Sequence, residues 1–247
     1  MIRAAACLML LSTPLEAEPL RIGAAPNYPP FLMVAGETRS GFDAALMDEI
    51  CARGSYECNW TYMPLNALFS ALNEGRIDVA TGGIGYSTAR DRTVDFTCVY
   101  IVNEDPYGSY YGRSEIDPSA ATIAVTAQSL YDQAMQKAGY ATRPYADEQS
   151  AITAVMRGEA DLYFGSPHML REVKGADSVL ILLGTHPTAS SGPALVVAQG
   201  NRRLTEALNR HLAAMSAEGQ LAALQSEWMN VNQGDIIADC FDTRLQS

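Results

Sequence analysis

The 247-residue chain is poor in positive charge. It has 17 Lys plus Arg residues against 28 Asp plus Glu residues, so its formal net charge is −11, and its only lysines are Lys137 and Lys174. A nucleic-acid-binding protein needs a basic face that releases counterions from phosphates, so the composition argues against that class. The chain also lacks an apolar run near the roughly 18 residues that signal a membrane-spanning helix. These absences indicate a soluble, acidic, compact protein.

Patterns for metal binding and catalysis are also missing. The three histidines, His168, His186 and His211, are scattered, and no Cys-x-x-Cys or clustered His spacing occurs. No Ser–His–Asp order or paired-carboxylate motif is present. We therefore predict no metal ion, no cofactor and no enzymatic activity. The absence of heptads and of an exposed apolar stripe favours a monomer.

Residues 1–17 predict a secretory signal peptide. Arg3 supplies the positive region, residues 4–11 form a short apolar stretch, and Ala17 is a small residue at the cleavage point. Such a signal predicts export from the cytoplasm, into a compartment where disulfides persist.

Four cysteines follow this segment: Cys51, Cys58, Cys98 and Cys240. An even number of cysteines in an exported protein indicates disulfides, and four cysteines allow three pairings. A short local bridge between Cys51 and Cys58 is favoured, since the two lie near the end of a predicted helix and in the next predicted strand. That pairing leaves Cys98 with Cys240, and buried free thiols are the alternative.

Strand and helix patterns alternate along the chain. Residues 56–62 alternate apolar and polar side chains, which is typical of a half-buried strand, and residues 42–50 carry apolar side chains at helical spacing. Further strands are predicted at 77–81 and 122–126, and a helix at 129–138. This order predicts an α/β architecture with mostly parallel sheets flanked by helices.

The pattern restarts after Tyr107, which suggests an insertion. We predict a first lobe from residues 18–107 plus 193–247 and a second, inserted lobe from residues 108–192. Two crossings between lobes would form a hinge with a cleft between the two halves.

Seven short segments occur in order along the chain. They are Leu20-Arg21-Ile22-Gly23, Tyr28-Pro29-Pro30-Phe31, Gly41-Phe42-Asp43, Gly75-Arg76-Ile77-Asp78-Val79-Ala80, Ser87-Thr88-Ala89-Arg90, Asp95-Phe96-Thr97 and the final segment 221–228. This series resembles the family 3 extracellular solute-binding proteins, the periplasmic components of polar amino-acid ABC importers.

The resemblance implies the fold, the location and the partner. It implies a two-lobed, type II periplasmic-binding-protein fold, a periplasmic location and an ABC permease in the inner membrane as the partner. The spacing of Cys51 and Cys58 is similar to that of a disulfide in basic-amino-acid-binding members.

Arg90 carries the main functional expectation. Ser87 would cap a helix whose first turn holds Arg90, and a cation at that place opposes the helix dipole. The resemblance implies that Arg90 clamps the ligand carboxylate, a task that suits a bidentate guanidinium. A solvated surface arginine is the alternative, and Arg92 fits that description.

Glycines precede this turn in the segment Gly82-Gly83-Ile84-Gly85. Glycines let the backbone approach a ligand closely, whereas a dinucleotide-binding fingerprint would need a third glycine at a spacing that is absent. The resemblance implies that Gly83 offers its carbonyl to a ligand amine. It also implies that the position of Gly85 usually carries a hydroxyl, which is missing here.

Five more positions match ligand contacts of the family. The resemblance implies that Tyr28 stacks over the ligand and that Leu65 forms a second wall. Ser129 and Leu130 match a helix start that reaches the carboxylate, although Leu130 lacks the usual hydroxyl. Ser166 stands where relatives carry the Asp that pairs with the ligand ammonium.

The replacement at Ser166 leaves two possibilities. Another acid supplies the pairing, with Asp161, Glu104 and Asp105 as candidates, or the ligand has no free ammonium. A buried ammonium without a carboxylate is costly. The sequence favours the second possibility, a small carboxylate or an amino-acid derivative with a blocked amine.

We therefore expect a binding protein that captures a small carboxylate-bearing solute, an amino acid or related organic acid, in the cleft and delivers it to an ABC importer. One alternative is a non-transport accessory protein of a periplasmic quinoprotein dehydrogenase system. The other is an enzyme similar to the cyclohexadienyl dehydratases of this fold. The motifs place no acid in the cleft opposite Arg90, which argues against the enzyme.

Overall fold

The computed structural model describes residues 18–103 and 106–234. Its strands, in chain order, are β1 Glu18–Ala24, β2 Met33–Ala35, β3 Thr38–Ser40, β4 Tyr56–Tyr62, β5 Val79–Thr81, β6 Val94–Phe96, β7 Tyr107–Gly112, β8 Thr122–Thr126, β9 Ala141–Tyr145, β10 Leu162–Gly165, β11 Ile181–Pro187 and β12 Val196–Ala198. Its α-helices are α1 Phe42–Gly54, α2 Leu65–Asn73, α3 Leu130–Lys137, α4 Glu148–Arg157, α5 Met169–Glu172, α6 Ala176–Val179, α7 Arg202–Ala217 and α8 Gln220–Met229.

Two five-stranded sheets organise these elements into two lobes. The first sheet has the strand order β4-β1-β5-β12-β6, the second has the order β11-β7-β10-β8-β9, and β2 pairs with β3 as a separate hairpin. We call the elements around the first sheet the first lobe and those around the second sheet the second lobe. The described chain passes from the first sheet to the second between β6 and β7, and it returns between β11 and β12.

Most strands of each sheet run in the same direction. In the first sheet β1 is parallel to β4 and β5, and β12 alone opposes its neighbours β5 and β6. In the second sheet β8 is parallel to β9 and β10, and β7 alone opposes its neighbours β10 and β11. The predicted fold class, two α/β lobes with mostly parallel sheets, is therefore confirmed. The exact lobe boundaries stay a prediction, and β7 begins at Tyr107, one residue earlier than that prediction places the second lobe.

Apolar side chains of the helices pack against the sheets. In the first lobe Leu46 and Ile50 of α1, Leu212 of α7 and Leu221 of α8 are fully buried in one cluster with Val197 of β12. Burial of one such aliphatic side chain contributes about 1.5–3 kcal/mol. The helical spacing seen in the sequence therefore marks the faces that pack on the sheet.

The cysteine predictions have different outcomes. The Cys51–Cys58 disulfide is confirmed, and it ties α1 to β4. Cys98 is buried, but its predicted partner Cys240 lies outside the described residues, so that pairing stays a prediction. Residues 1–17, the predicted signal peptide, also lie outside them. None of the described helices has the length and apolar character needed to cross a membrane.

Parallel strands direct their carboxyl ends toward the space between the two lobes. The segments that follow β1, β5, β8, β9 and β10 all contribute residues to the same cavity. Open α/β sheets bind ligands outside the carboxyl ends of their strands. The fold thus positions a binding cleft at this edge.

Candidate ligand-binding cleft

A cavity of about 870 Å³ lies between the lobes. This volume falls within the range of small-molecule sites, about 300–1,000 Å³. All of the ligand-binding residues predicted from the sequence line it, namely Tyr28, Leu65, Gly83, Gly85, Arg90, Ser129, Leu130 and Ser166. The structure therefore brings these positions together, and their individual roles toward a ligand stay proposals.

Arg90 is buried and connects the two lobes. Its side chain is held from both sides, because Nη1 donates a hydrogen bond to the Gly85 carbonyl at 2.9 Å and Nη2 donates to the Gln128 carbonyl at 3.0 Å. The guanidinium also lies 5.3 Å from the centre of the Phe69 ring. The alternative of a solvated surface arginine is wrong, since the residue is 7% exposed.

The local structure around Arg90 differs from the expected helix. Residues Arg90–Arg92 form a single 3₁₀ turn, because β6 begins at Val94 and leaves no room for an α-helix. The Ser87 hydroxyl still accepts a hydrogen bond from the Arg90 N–H, at 3.4 Å. The N-cap position of the turn is Ala89 and not Ser87, so the predicted cap is wrong, and the turn is too short to carry a substantial helix dipole.

The charge of Arg90 is not compensated within the described chain. No described carboxylate lies within ion-pair distance of it, and its Nε finds no hydrogen-bond acceptor among the described residues. Burial lowers the pKa of the guanidinium to about 10, so the group remains a cation at neutral pH. A buried cation without a carboxylate partner is suited to bind an anion.

The glycine segment after β5 is shaped by its neighbours. Gly83 has a φ of +70°, and a Cβ built on it would lie 2.6 Å from Phe31 Cδ2 and 2.8 Å from Tyr28 Cδ1. A Cβ on Gly85 would lie 2.5 Å from the Ser190 hydroxyl oxygen and 2.9 Å from Leu130 Cδ1. A side chain at position 85 would therefore collide with Ser190, a cavity-lining residue that the sequence did not reveal.

Asp43 holds this glycine segment in place. Its buried carboxylate accepts hydrogen bonds from the N–H groups of Gly82 and Gly83 at 2.7 and 2.8 Å, and from the hydroxyls of Thr81 and Tyr100 at 2.7 and 2.8 Å. Burial raises the pKa of the Asp43 carboxyl. The sequence contained this residue within the Gly41-Phe42-Asp43 motif, but its positioning role needed the structure.

We expect Asp43→Ala to destabilise the protein by about 3 kcal/mol or more, because buried donors that lose their acceptor cost about 1–3 kcal/mol each. For a protein of this size the melting temperature should fall by roughly 6–12 °C. The matched control is Asp48→Ala, which removes an exposed carboxylate of the same helix that pairs with Arg39. Exposed pairs contribute about 0–1 kcal/mol, so equal effects of the two substitutions in a thermal melt would contradict this role.

Tyr28 brings the first lobe into contact with the second. Its ring stacks on Phe31, with centroids 5.7 Å apart, and packs against the buried cluster around Tyr163. Burial raises the pKa of its hydroxyl well above the ordinary value. Leu65 begins α2 and is half-buried at the other side of the cavity. These two side chains are placed as walls of the cleft.

The two predicted residues at the start of α3 have different surroundings. Ser129 is the N-cap, and its hydroxyl accepts a hydrogen bond from the Asp132 N–H at 3.1 Å. Leu130 faces Gly85 across the boundary between the lobes. The Ser129 hydroxyl therefore has a structural task, and the N–H groups at the start of the helix are the donors available to an anion.

The structure places an acid in the cleft that the sequence motifs did not. Glu148, the first residue of α4, lines the cavity and is 6% exposed. The Tyr163 hydroxyl donates a hydrogen bond to its Oε2 at 2.5 Å, and the backbone N–H of Ser166 also points at this carboxyl group. Burial raises the pKa of Glu148 to about 8. The expectation that no acid lies in the cleft with Arg90 is therefore wrong.

The acids proposed from the sequence have other positions. Asp161 does not line the cavity, since it accepts a hydrogen bond from the Thr122 N–H at the opposite end of β8. Glu104 and Asp105 lie outside the described residues. One signal could have identified Glu148, because it follows a parallel strand, β9, whose carboxyl end faces the cleft.

The comparisons with known proteins agree with this fold and cleft. A family model for bacterial extracellular solute-binding proteins, family 3, matches residues 20–231, and the chain belongs to this family. The chain is 26% identical over 212 residues to the arginine-binding periplasmic protein of Mannheimia haemolytica, covering 83% of this chain and 88% of that protein. It is 25% identical over 244 residues to the L-arginine-binding protein of Pseudomonas aeruginosa, covering 92% and 94%.

A solved structure supports the fold independently. A periplasmic His/Glu/Gln/Arg/opine family-binding protein from Silicibacter pomeroyi, in complex with lysine, aligns with a TM-score of 0.75 and 24% sequence identity, covering 85% of this chain and 96% of that one. The family gives the protein a solute-binding role of the kind that serves ABC import.

Proposed function

We propose that this protein binds a small solute with a carboxylate group, an amino acid or a close relative, between its lobes and delivers it to an ABC permease. The observation that carries the proposal is Arg90, a buried guanidinium that lines the cavity and has no carboxylate partner in the described chain. Relatives named for arginine binding support an amino acid as the ligand.

The ligand carboxylate would bind the guanidinium of Arg90, which lines the cavity. Further donors are the N–H groups at the start of α3 and the hydroxyl of Ser190, both at the cavity wall. Charge-assisted hydrogen bonds to a carboxylate are about twice as strong as neutral ones. A carboxylate at this place would therefore offset the cost of burying the guanidinium.

Closure of the lobes follows from the same residue. Arg90 belongs to the first lobe, and one of its hydrogen bonds reaches the Gln128 carbonyl of the second lobe. A ligand that neutralises Arg90 favours the arrangement in which both lobes contact it, and so shifts the open–closed equilibrium. The closed, loaded form is the one that a permease would recognise. The signal peptide at residues 1–17 would place this cycle in the periplasm, with the protein acting as a monomer.

A thermal-shift screen tests the proposal. We expect at least one compound from a set of amino acids, keto acids and aromatic acids to stabilise the protein, by about 2.7 kcal/mol at a hundredfold excess over its Kd. The matched controls are the primary amides of the same compounds, in which a neutral carboxamide replaces the carboxylate. These amides should not stabilise the protein. Stabilisation by the amides alone would contradict the proposal, and no stabilisation by any solute would favour the accessory role.

The buried acid in the cleft also bears on the enzyme alternative. A dehydratase needs an acid with a tuned pKa beside its substrate, and Glu148 has these properties. We expect binding without turnover, so that every stabilising compound is recovered unchanged after incubation. Consumption of a prephenate-like substrate would contradict a purely binding role.

A further inference from the structure

Glu148 is the second buried ionisable group in the cleft, and it belongs to the lobe opposite Arg90. Within residues 18–103 and 106–234 it forms no ion pair. The cavity thus contains a guanidinium without an anion on one side and a carboxyl group without a cation on the other. A molecule that carries both charges would satisfy both groups at once.

The surroundings of Glu148 are built from hydroxyl groups. Tyr163 of β10 donates to it, and the hydroxyls of Tyr28 and Tyr131 lie near Ser166, beside the same carboxyl group. This arrangement fixes the carboxyl group at the cavity wall and leaves it without a cation among the described residues. The site is therefore built for a ligand cation.

We propose that Glu148 supplies the carboxylate that pairs with the ammonium of the ligand, in place of the acid that Ser166 lacks. This inference rests on the proposed function, because Arg90 must hold the carboxylate of the same ligand. It makes the ligand a zwitterion with a free amine, such as an α-amino acid. The preference for a ligand without an ammonium, drawn from Ser166 alone, is replaced.

The place of Glu148 in the fold supports its pairing with a ligand ammonium. Glu148 is the first residue of α4, whose helix dipole favours a negative charge there, and its backbone neighbour Ser166 follows β10. The carboxyl group thus reaches the place that the residue at position 166 occupies, although it comes from a different element. The carboxyl group therefore lies where a ligand in the cavity can reach it.

Binding of an amino acid should release a proton from Glu148, because the empty cleft holds this carboxyl group in its protonated form. The groups that face Glu148 are Tyr163 of β10, Tyr131 of α3, Tyr28 after β1 and Asp147 of its own helix start, and none of them is a cation. From α5, Arg171 and Glu172 line the cavity but form no ion pair with Glu148. With a pKa of about 8, the empty cleft holds Glu148 mostly protonated at pH 7.

An ammonium in the cleft requires the ionised carboxylate, so its binding displaces that proton. Affinity for an amino acid should therefore rise roughly 10- to 50-fold between pH 6 and pH 8. Affinity for a simple carboxylate should not rise, because an ionised Glu148 would disfavour a second anion in the cavity.

The experiment is isothermal titration calorimetry at pH 6, 7 and 8 in buffers of different ionisation enthalpy. The probes are the common L-amino acids and, for the one that binds best, the same molecule without its amine. We expect the amino acid to bind at least 100-fold more tightly than its deaminated analogue and to release close to one proton at pH 7. Glu148→Gln should remove both the preference and the proton release, whereas Glu172→Gln, which removes an acid from the same wall, should remove neither.

The outcomes separate this inference from the proposed function. If the deaminated analogue binds as well as the amino acid, the role of Glu148 is overturned while the role of Arg90 stands. If no carboxylate binds, with or without an amine, both proposals are overturned. The comparison of the amino acid with its deaminated analogue on the wild-type protein decides the matter even where the Glu148→Gln variant fails to fold.

Discussion

Replacing Arg90 with methionine is expected to abolish high-affinity ligand binding while leaving the fold intact. Removing one partner of a buried charge pair costs about 3–5 kcal/mol, so the Kd of a carboxylate ligand should rise by about 100- to 4,000-fold. Titration calorimetry of the wild-type and Arg90→Met proteins with the same ligand measures this loss.

The ligand-free variant should lose only a modest part of its stability, because two effects of the substitution oppose each other. Burial lowers the pKa of Arg90 to about 10, which corresponds to a burial cost of about 3 kcal/mol that methionine does not pay. Methionine also loses the hydrogen bonds to the Gly85 and Gln128 carbonyls, and bonds to a charged group contribute about 1.5–3 kcal/mol each. The first effect offsets half or more of the second, so the variant should lose at most about 3 kcal/mol of stability.

Arg92→Met is the matched control, because Arg92 is exposed in the same 3₁₀ turn. It should bind ligand as the wild-type protein does. A loss of affinity as large in Arg92→Met as in Arg90→Met would contradict the specific role of Arg90.

Moving the carboxylate from position 148 to position 166 is expected to restore a binding site that the first substitution destroys. Glu148→Gln alone should weaken amino-acid binding by about 100-fold or more, since an ammonium would be left without its counter-ion. Adding Ser166→Asp should recover at least tenfold of that loss. Ser166 is buried at the cavity wall, and its hydroxyl accepts a hydrogen bond from the His168 N–H that an aspartate can also accept.

The control for this exchange is Glu148→Gln combined with Ser166→Asn, which has the same shape without the charge. Ser166→Asp in the presence of Glu148 should bind less well than the exchange, because two neighbouring carboxyl groups cannot both ionise. Calorimetry of the four proteins with one amino acid measures these differences. Equal affinities for the Asp and Asn versions would contradict an electrostatic pairing.

Local patterns predicted much of the fold. The strand at 122–126 and the helix that follows Ser129 are confirmed in β8 and α3, because alternation and N-capping act between residues close in the chain. The Cys51–Cys58 bridge spans seven residues and was predictable for the same reason. The helix expected at Arg90 was wrong, because the nearby start of β6 limits it to one turn.

The cleft depends on contacts between residues far apart in the chain, which local patterns do not reveal. The role of Asp43 depends on Gly82 and Tyr100, and the burial of Glu148 depends on β10. The sequence motifs drew attention to Ser166, but the buried carboxyl group of Glu148 beside it was visible only once the second lobe was in place.

The central claim is that the guanidinium of Arg90 binds the carboxylate of the solute. A crystal structure of the protein with its solute tests this claim directly. The account predicts a ligand carboxylate oxygen about 2.7–2.9 Å from a guanidinium nitrogen of Arg90. A bound solute whose carboxylate faces bulk water or another side chain, with Arg90 out of hydrogen-bond reach, would contradict it.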